Sequence, residues 1–171
     1  MLMTKDELME KTPMFRAIRR KKKEIDMDAV KALLKSSRRG VLAVNGDNGY
    51  PYAIPINYLY DEERNKIIFH GAKVGHKVDS LKKSDKVCFT VYGSETIKDE
   101  PWAPYLQSAV VFGRCHPVEN QEDSIKLVKQ LATKYYPNEA LVHDEVSRSG
   151  MGVQMFEITI EHLSGKEVQE R

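Results

Sequence analysis

The sequence predicts a mainly β fold, an antiparallel barrel of about six strands flanked by helices. Three observations lead there. Short apolar segments with two-residue alternation outnumber segments of helical period. Hairpin-turn chemistry sits between the first two of them. Strands and helices also fail to alternate one for one, as a doubly wound α/β sheet requires. Closing the sheet leaves no exposed edge. The 171 residues suffice for one domain with its own core. Residues 1–24 read as a basic leader packed on the domain or a partner subunit, and residues 25–171 as the barrel domain.

The elements follow in order. Asp26 caps a helix from Met27 to Ser36 whose apolar stripe is Val30, Leu33 and Leu34. Val41 to Asn45 reads as a strand, and Gly46-Asp47-Asn48-Gly49 as its turn. Tyr50 to Tyr60 returns as one strand. Tyr52, Ile54, Ile56, Tyr58 and Tyr60 share one face, and Ala53, Pro55, Asn57 and Leu59 the other. Pro51 and Pro55 donate no backbone hydrogen bond, which places them at an edge, bulge or rim. Asp61 to Asn65 turns the chain into a strand from Lys66 to His70.

Val74 to Leu81 has the length of a short helix, and Lys86 to Tyr92 is a strong strand. Gly93 to Pro104, with the single tryptophan Trp102, reads as a polar excursion of the length at which functional loops are common. Leu106 to Val118 gives the longest strand. Asn120 caps the clearest helix, ending at Tyr135, with Ile125, Val128, Leu131, Ala132 and Tyr135 as its stripe; Pro137 stops it. A polar loop follows. Gly152 to His162 is the last strand, and its slipped alternation at Met155-Phe156 predicts a bulge.

Composition removes several classes. The longest strictly apolar runs are four residues, Val41 to Val44 and Ala109 to Phe112, whereas a bilayer span needs about 20. No membrane segment and no signal peptide are expected. Cys88 and Cys115 lack zinc-site spacing and make no disulfide framework; free thiols in a reducing cytoplasm fit them. Residues 1–39 carry 12 basic and 6 acidic groups, net +6, against 15 and 19, net −4, in the remainder. The densest cluster is Arg16, Arg19, Arg20, Lys21, Lys22 and Lys23. Such a run reads either as a solvated leader or as a contact for RNA or another anion.

The chemistry-bearing residues concentrate in one stretch. His70-Gly71-Ala72-Lys73-Val74-Gly75-His76-Lys77 ends a strand and opens a helix. Helix-start amides beside a lysine and an imidazole suit a phosphate, and an ordinary turn with solvent-facing cations is the alternative. Asn57 could meet the edge of a flat heterocycle or support a turn. Ser108 has a hydroxyl to donate. No nucleophile elbow, helical His pair, dinucleotide fingerprint or Walker loop occurs. Hydrolase chemistry is not expected.

The blocks Arg39-Gly40-Val41-Leu42-Ala43, Gly49 to Tyr58, Phe69-His70-Gly71-Ala72, Gly75-His76-Lys77, Lys86-Val87-Cys88-Phe89 and Ser108 to Arg114 run in order over most of residues 16–118. Together they resemble the FMN-binding split-barrel family related to pyridoxamine 5'-phosphate oxidase, and within it the nitroimidazole-resistance reductase-like branch. The resemblance implies a six-stranded split barrel, a homodimer and FMN sites at the subunit interface. It implies that Lys77 and His76 hold the phosphate, and that His70, the catalytic candidate, lies near flavin and substrate. Pro55, Ile56 and Asn57 would border the isoalloxazine, Phe89 and Ser108 would line the cofactor region, and Trp102 would cap a pocket. His76 stands where this fold often has arginine, and Gln107 where the nitroimidazole branch often has it.

The activity implied is FMN-dependent oxidoreduction. NAD(P)H is the donor, and the acceptor is a small electron-poor compound, a nitroimidazole or pyridoxal-type molecule. The alternatives are a non-catalytic flavin-, deazaflavin- or haem-binding protein, and a basic RNA- or anion-binding protein; nucleic acid is not the expected partner.

Overall fold

The computed structural model describes residues 14–99, 102–149 and 152–169, with residues 94–99, 102–104, 149 and 169 described by backbone alone. Among them are helices α1 (Met27–Ser36), α2 (His76–Lys83), α3 (Gln121–Tyr135) and α4 (Glu139–Ser149). The strands are β1 (Arg39–Asn45), β2 (Pro51–Asn57), β3 (Leu59–Asp61), β4 (Lys66–Gly71), β5 (Lys86–Asp99), β6 (Trp102–Pro117) and β7 (Gln154–Gln169). They form one antiparallel sheet in the order β2-β1-β5-β6-β7-β4-β3.

Seven strands replace the six expected, and the reason lies at Tyr58. The segment expected as one strand breaks there. β2 pairs with β1 at one end of the sheet and β3 with β4 at the other. Only Tyr58 separates them in sequence, so the sheet curls and brings its two ends together at that residue. β2 and β3 form no ladder with each other, so the expected closure without edges is not reached and the barrel stays split. This is the split-barrel architecture. Tyr58 is fully buried, meets Phe89 edge-on at a centroid distance of 4.8 Å and donates its hydroxyl proton to the Leu34 carbonyl at 2.7 Å. Burying a side chain of this size contributes about 1.5–3 kcal/mol.

The alternation read from the sequence fills the interior. Leu42, Val44, Phe89, Val91, Ala109, Val111, Phe156 and Ile158 form the main cluster, joined by Val30, Leu33 and Leu34 of α1. Asp26 caps α1 by accepting the Ala29 N–H at 2.7 Å. A second cluster, Ile68, Leu127, Leu131 and Met155, lies between α3 and the outer side of β4 and β7. Its existence corrects the reading of Met155-Phe156. Both residues are buried because both faces of β7 are covered there. The register shift lies further on, opposite Phe112 and Gly113.

Three further expectations change. The polar excursion at Gly93–Pro104 is strand: β5 and β6 extend as a hairpin with a register shift between Gly93 and Thr96. Backbone pairing along the ladder, rather than an apolar face, continues the sheet there. The loop expected after Pro137 contains α4, capped when Asn138 accepts the Leu141 N–H at 3.0 Å. A short, largely polar helix with Leu141 exposed shows no apolar stripe to read. Finally, α2 starts at His76, because Gly75 takes φ +121° and holds the loop outside the helix. Cys88 is half-buried, Cys115 is buried, and both are free. Among the described residues no helix is long and apolar enough to cross a membrane.

Candidate functional site

The junction at Tyr58 brings the ends of β2 and β4 to a common cavity. Asn57 closes β2, His70 stands next to the end of β4, and both line a cavity of about 350 Å3. Its apolar wall includes Val128, Leu131 and Met155. Tyr135, Tyr136 and Glu145, from the end of α3 and from α4, supply polar groups. These three escaped the sequence reading. Tyr135 was visible only as the end of an apolar stripe, and Glu145 lies on a helix that reads as loop.

His70 keeps solvent access, yet its pKa is held below the ordinary 6.5. Lost hydration is the main cause and the Lys77 charge the second, with the Glu145 carboxylate opposing both. A neutral imidazole at pH 7 can donate from one nitrogen and accept at the other.

Lys77 and His76 are neighbours in sequence and diverge in space. The Lys77 ammonium is drawn inward. It lies 5.1 Å from the Phe69 ring centroid and 5.3 Å from that of Phe156, and those two rings stack at 5.2 Å. Burial pushes its pKa below the usual lysine range, with nearby Cys115 acting in the opposite sense. Among the described residues no carboxylate pairs with Lys77. Gly71 makes room for it, since a Cβ there would fall on Lys77 Nζ. His76 instead turns to the β1–β2 hairpin. It stacks on Tyr52 at 4.1 Å, and its Nε2 lies 3.4 Å from Asp47 Oδ2. Asp47 also takes Lys83 Nζ at 2.8 Å; that lysine, and then His76, holds its carboxyl below the usual range.

The other expected residues take separate places. Pro55 is exposed and lines a second cavity, about 460 Å3, with Arg38, Arg39, Gly40 and Tyr92. The two cavities adjoin at Arg38, whose guanidinium lies 5.2 Å from the Tyr135 ring centroid. Ile56 packs toward the core, and Phe89 has no exposed surface. Phe89 therefore backs the wall, pressed where Gly40 lacks a side chain, and does not itself face either cavity. Ser108 is half-buried on the outward side of β6, opposite Tyr92 and Lys166. The Trp102 side chain lies outside the described residues. The structure thus joins Asn57 with His70, sets Lys77 behind them, and separates Pro55, His76 and Ser108.

A curled antiparallel sheet with ligand-sized cavities at its strand junction defines a class of small-molecule-binding barrels. A family model described as pyridoxamine 5'-phosphate oxidase matches residues 26–167. The chain belongs to that family. No curated protein matches it. Among solved structures, it resembles a candidate 5-nitroimidazole antibiotic resistance protein from Bacteroides thetaiotaomicron, with TM-score 0.76 and 16% identity, over 85% of this chain and 87% of that one. A FAD-binding protein from Mesorhizobium loti aligns with TM-score 0.61 and 20% identity, over 85% and 96% of the two chains. The FAD and heme binding protein from Mycobacterium smegmatis aligns with TM-score 0.67 and 14% identity, over 84% and 72%. At these identities the likeness is one of fold.

Proposed function

We propose that the chain binds FMN and is an oxidoreductase that passes electrons from NAD(P)H to a small electron-poor acceptor of the nitroimidazole or pyridoxal type. The observation that carries the reading is Lys77, a partly buried ammonium held against two aromatic faces with no carboxylate among the described residues. A phosphate would supply its counter-charge. The left-handed turn at Gly75, with nothing within 4 Å of where a Cβ would stand, leaves the backbone open to such a group. The names of the Mesorhizobium and Mycobacterium relatives, both FAD-binding, support a flavin.

FMN, when bound, supplies hydride acceptance and donation. The chain supplies the rest. Lys77 anchors the phosphate, with His76 at the same helix start held by Asp47 and Tyr52. Asn57 offers its amide to the ring edge, Pro55 lines the adjoining cavity, and Ile56 packs behind the wall. Neutral His70 offers one donor and one acceptor to the substrate beside it. Val128, Leu131 and Met155 keep the cavity wall dry. Ser108, on the outward face of the sheet opposite Lys166, stands apart from these groups.

In this reading the active unit is a homodimer with sites at the interface. Tyr92, on the outward side of β5, supports it, being 66% exposed. A second copy is the partner such an aromatic fits. Sedimentation should report about 39 kDa, twice the 19.6 kDa chain.

The test is anaerobic. NADH or NADPH added to FMN-loaded protein should bleach the flavin band, and a nitroimidazole should restore it. Protein that ignores FMN but develops a Soret band with haem overturns the reading.

A further inference from the structure

Arg16, Arg19, Arg20, Lys21, Lys22 and Lys23 look alike in sequence, and the fold sorts them. Arg19, Arg20 and Lys23 line a concavity of about 310 Å3 whose opposite wall is Lys166, Glu167 and Val168 of β7. Arg16, Lys21 and Lys22 do not line it. Lys21 pairs with Glu24 at 3.1 Å instead.

The leader is pinned on both sides of this run. Phe15 stacks on His162 at 4.8 Å and on Phe112 at 5.6 Å. The backbone of Glu24 forms an antiparallel β-bridge with that of Lys166, and the Ile25 N–H donates to the Gly165 carbonyl at 3.2 Å. Gly165 permits this close approach, since a Cβ there would lie 3.1 Å from Ile25 Cγ1. Between the pins, the Lys23 N–H donates to the Arg20 carbonyl at 2.9 Å, a tight turn that sets both side chains on the pocket.

Charge is unbalanced inside it. Four cations face one carboxylate, Glu167, which accepts from Gln107 at 3.4 Å. Among the described residues no carboxylate lies within ion-pair distance of the Arg19, Arg20, Lys23 or Lys166 side chains. Like charges gathered around so small a volume repel, and packing of the leader holds them there. Guanidinium forks match phosphate oxygens in pairs, and Ile18 and Val168 offer apolar surface to whatever the phosphate carries.

We propose that this pocket binds a small phosphorylated compound bearing two or more negative charges, at a site apart from the flavin. It shares no lining residue with the cavities at His70 and Pro55. A polynucleotide would want cations tracking an open surface with aromatic platforms for its bases. Here three of the six cations stand outside the concavity, and no aromatic side chain lines it.

The test is calorimetric titration of pyrophosphate into the full chain, with and without saturating FMN. Binding should be saturable at one per chain and survive FMN. Arg20→Ala and Lys166→Met should each weaken it roughly ten- to hundred-fold, the loss expected for one charge-assisted contact. Lys22→Ala, equal in charge but outside the pocket, should change it less than about two-fold. Unfolding midpoints verify each variant, and Lys166→Met serves should Arg20→Ala fold poorly. The proposal is overturned by no saturable binding at millimolar pyrophosphate, by equal losses for Lys22→Ala and Lys166→Met, or by pyrophosphate displacing FMN. It is likewise overturned if oligouridine binds more tightly, with steep salt dependence and all six cations contributing. A chain that takes pyrophosphate but not FMN defeats the flavin reading and leaves this one standing.

Discussion

The hydroxyl of Tyr135 bridges the backbone of Tyr58 where the chain crosses from one edge of the sheet to the other. It accepts the Tyr58 N–H at 2.8 Å, lies 2.9 Å from the Tyr58 carbonyl, and also contacts the carbonyl of Arg38. A residue between two strands has no ladder partner on either side, and an unpaired, half-buried amide is costly. The last turn of α3 thus pins the crossover between the sheet's two ends and lines the His70 cavity with one side chain.

Tyr135→Phe removes that hydroxyl and nothing else. It should destabilise the protein by about 1–3 kcal/mol, with the melting temperature falling about 2–4 °C for each kcal/mol. Chemical denaturation checks it. An unchanged midpoint would mean the junction needs no such bridge.

His70 should titrate below 6.5 by NMR. The shift has two electrostatic contributors of opposite sign, so Lys77→Met should raise the midpoint and Glu145→Gln should lower it. The folded state takes up this proton later than the unfolded one. The associated stability is therefore complete above about pH 6.5 and is lost as pH falls toward the depressed folded value. A midpoint above 6.5, or one indifferent to Lys77, contradicts this arrangement.

Gly71→Ala should spare the fold and move the lysine. The added Cβ meets the far end of a flexible side chain, with Phe156 Cε2 at an ordinary 3.4 Å. FMN affinity should drop while the unfolding free energy stays within about 0.5 kcal/mol of wild type. Full FMN affinity in this variant would show that the ammonium has no need of its present seat.

Burial pushes the Cys115 thiol up to about 12, with Lys77 opposing, and raises Cys88 by burial alone. Thiol reagents at pH 8 should leave Cys115 untouched in the native protein, react slowly at half-buried Cys88, and modify both after unfolding. The folded pKa lies above the unfolded one, so the linked stability holds below pH 9 and is lost as pH rises through the folded value. Rapid native labelling of Cys115 would place it elsewhere.

Alternation made the interior legible. Tyr52, Ile54 and Ile56 pack toward the core and Tyr58 and Tyr60 lie within it, as their shared parity implies. Asn120 caps α3 as its sequence offset suggests, accepting the Asp123 N–H at 3.0 Å. The break at Tyr58 was not legible, because Tyr135, which satisfies its backbone there, lies 77 residues away. The same limit hid the parting of His76 from Lys77. Helix phase alone sets them apart, and Asp47, Tyr52, Phe69 and Phe156 decide what each one meets. Glu145 was hidden by a helix without an apolar stripe. Periodicity reports faces, while the candidate site is built from contacts between faces.

Equilibrium titration of FMN, with riboflavin alongside, into wild-type and Lys77→Ala protein tests the central claim most directly. FMN should bind at about one per chain, and Lys77→Ala should weaken it roughly ten- to hundred-fold, as loss of a hydrogen bond to a charged group implies. Riboflavin, which has the ring without the phosphate, should bind both proteins alike. Absence of FMN binding in the wild type, or an equal loss for riboflavin, would contradict a flavin site anchored at Lys77.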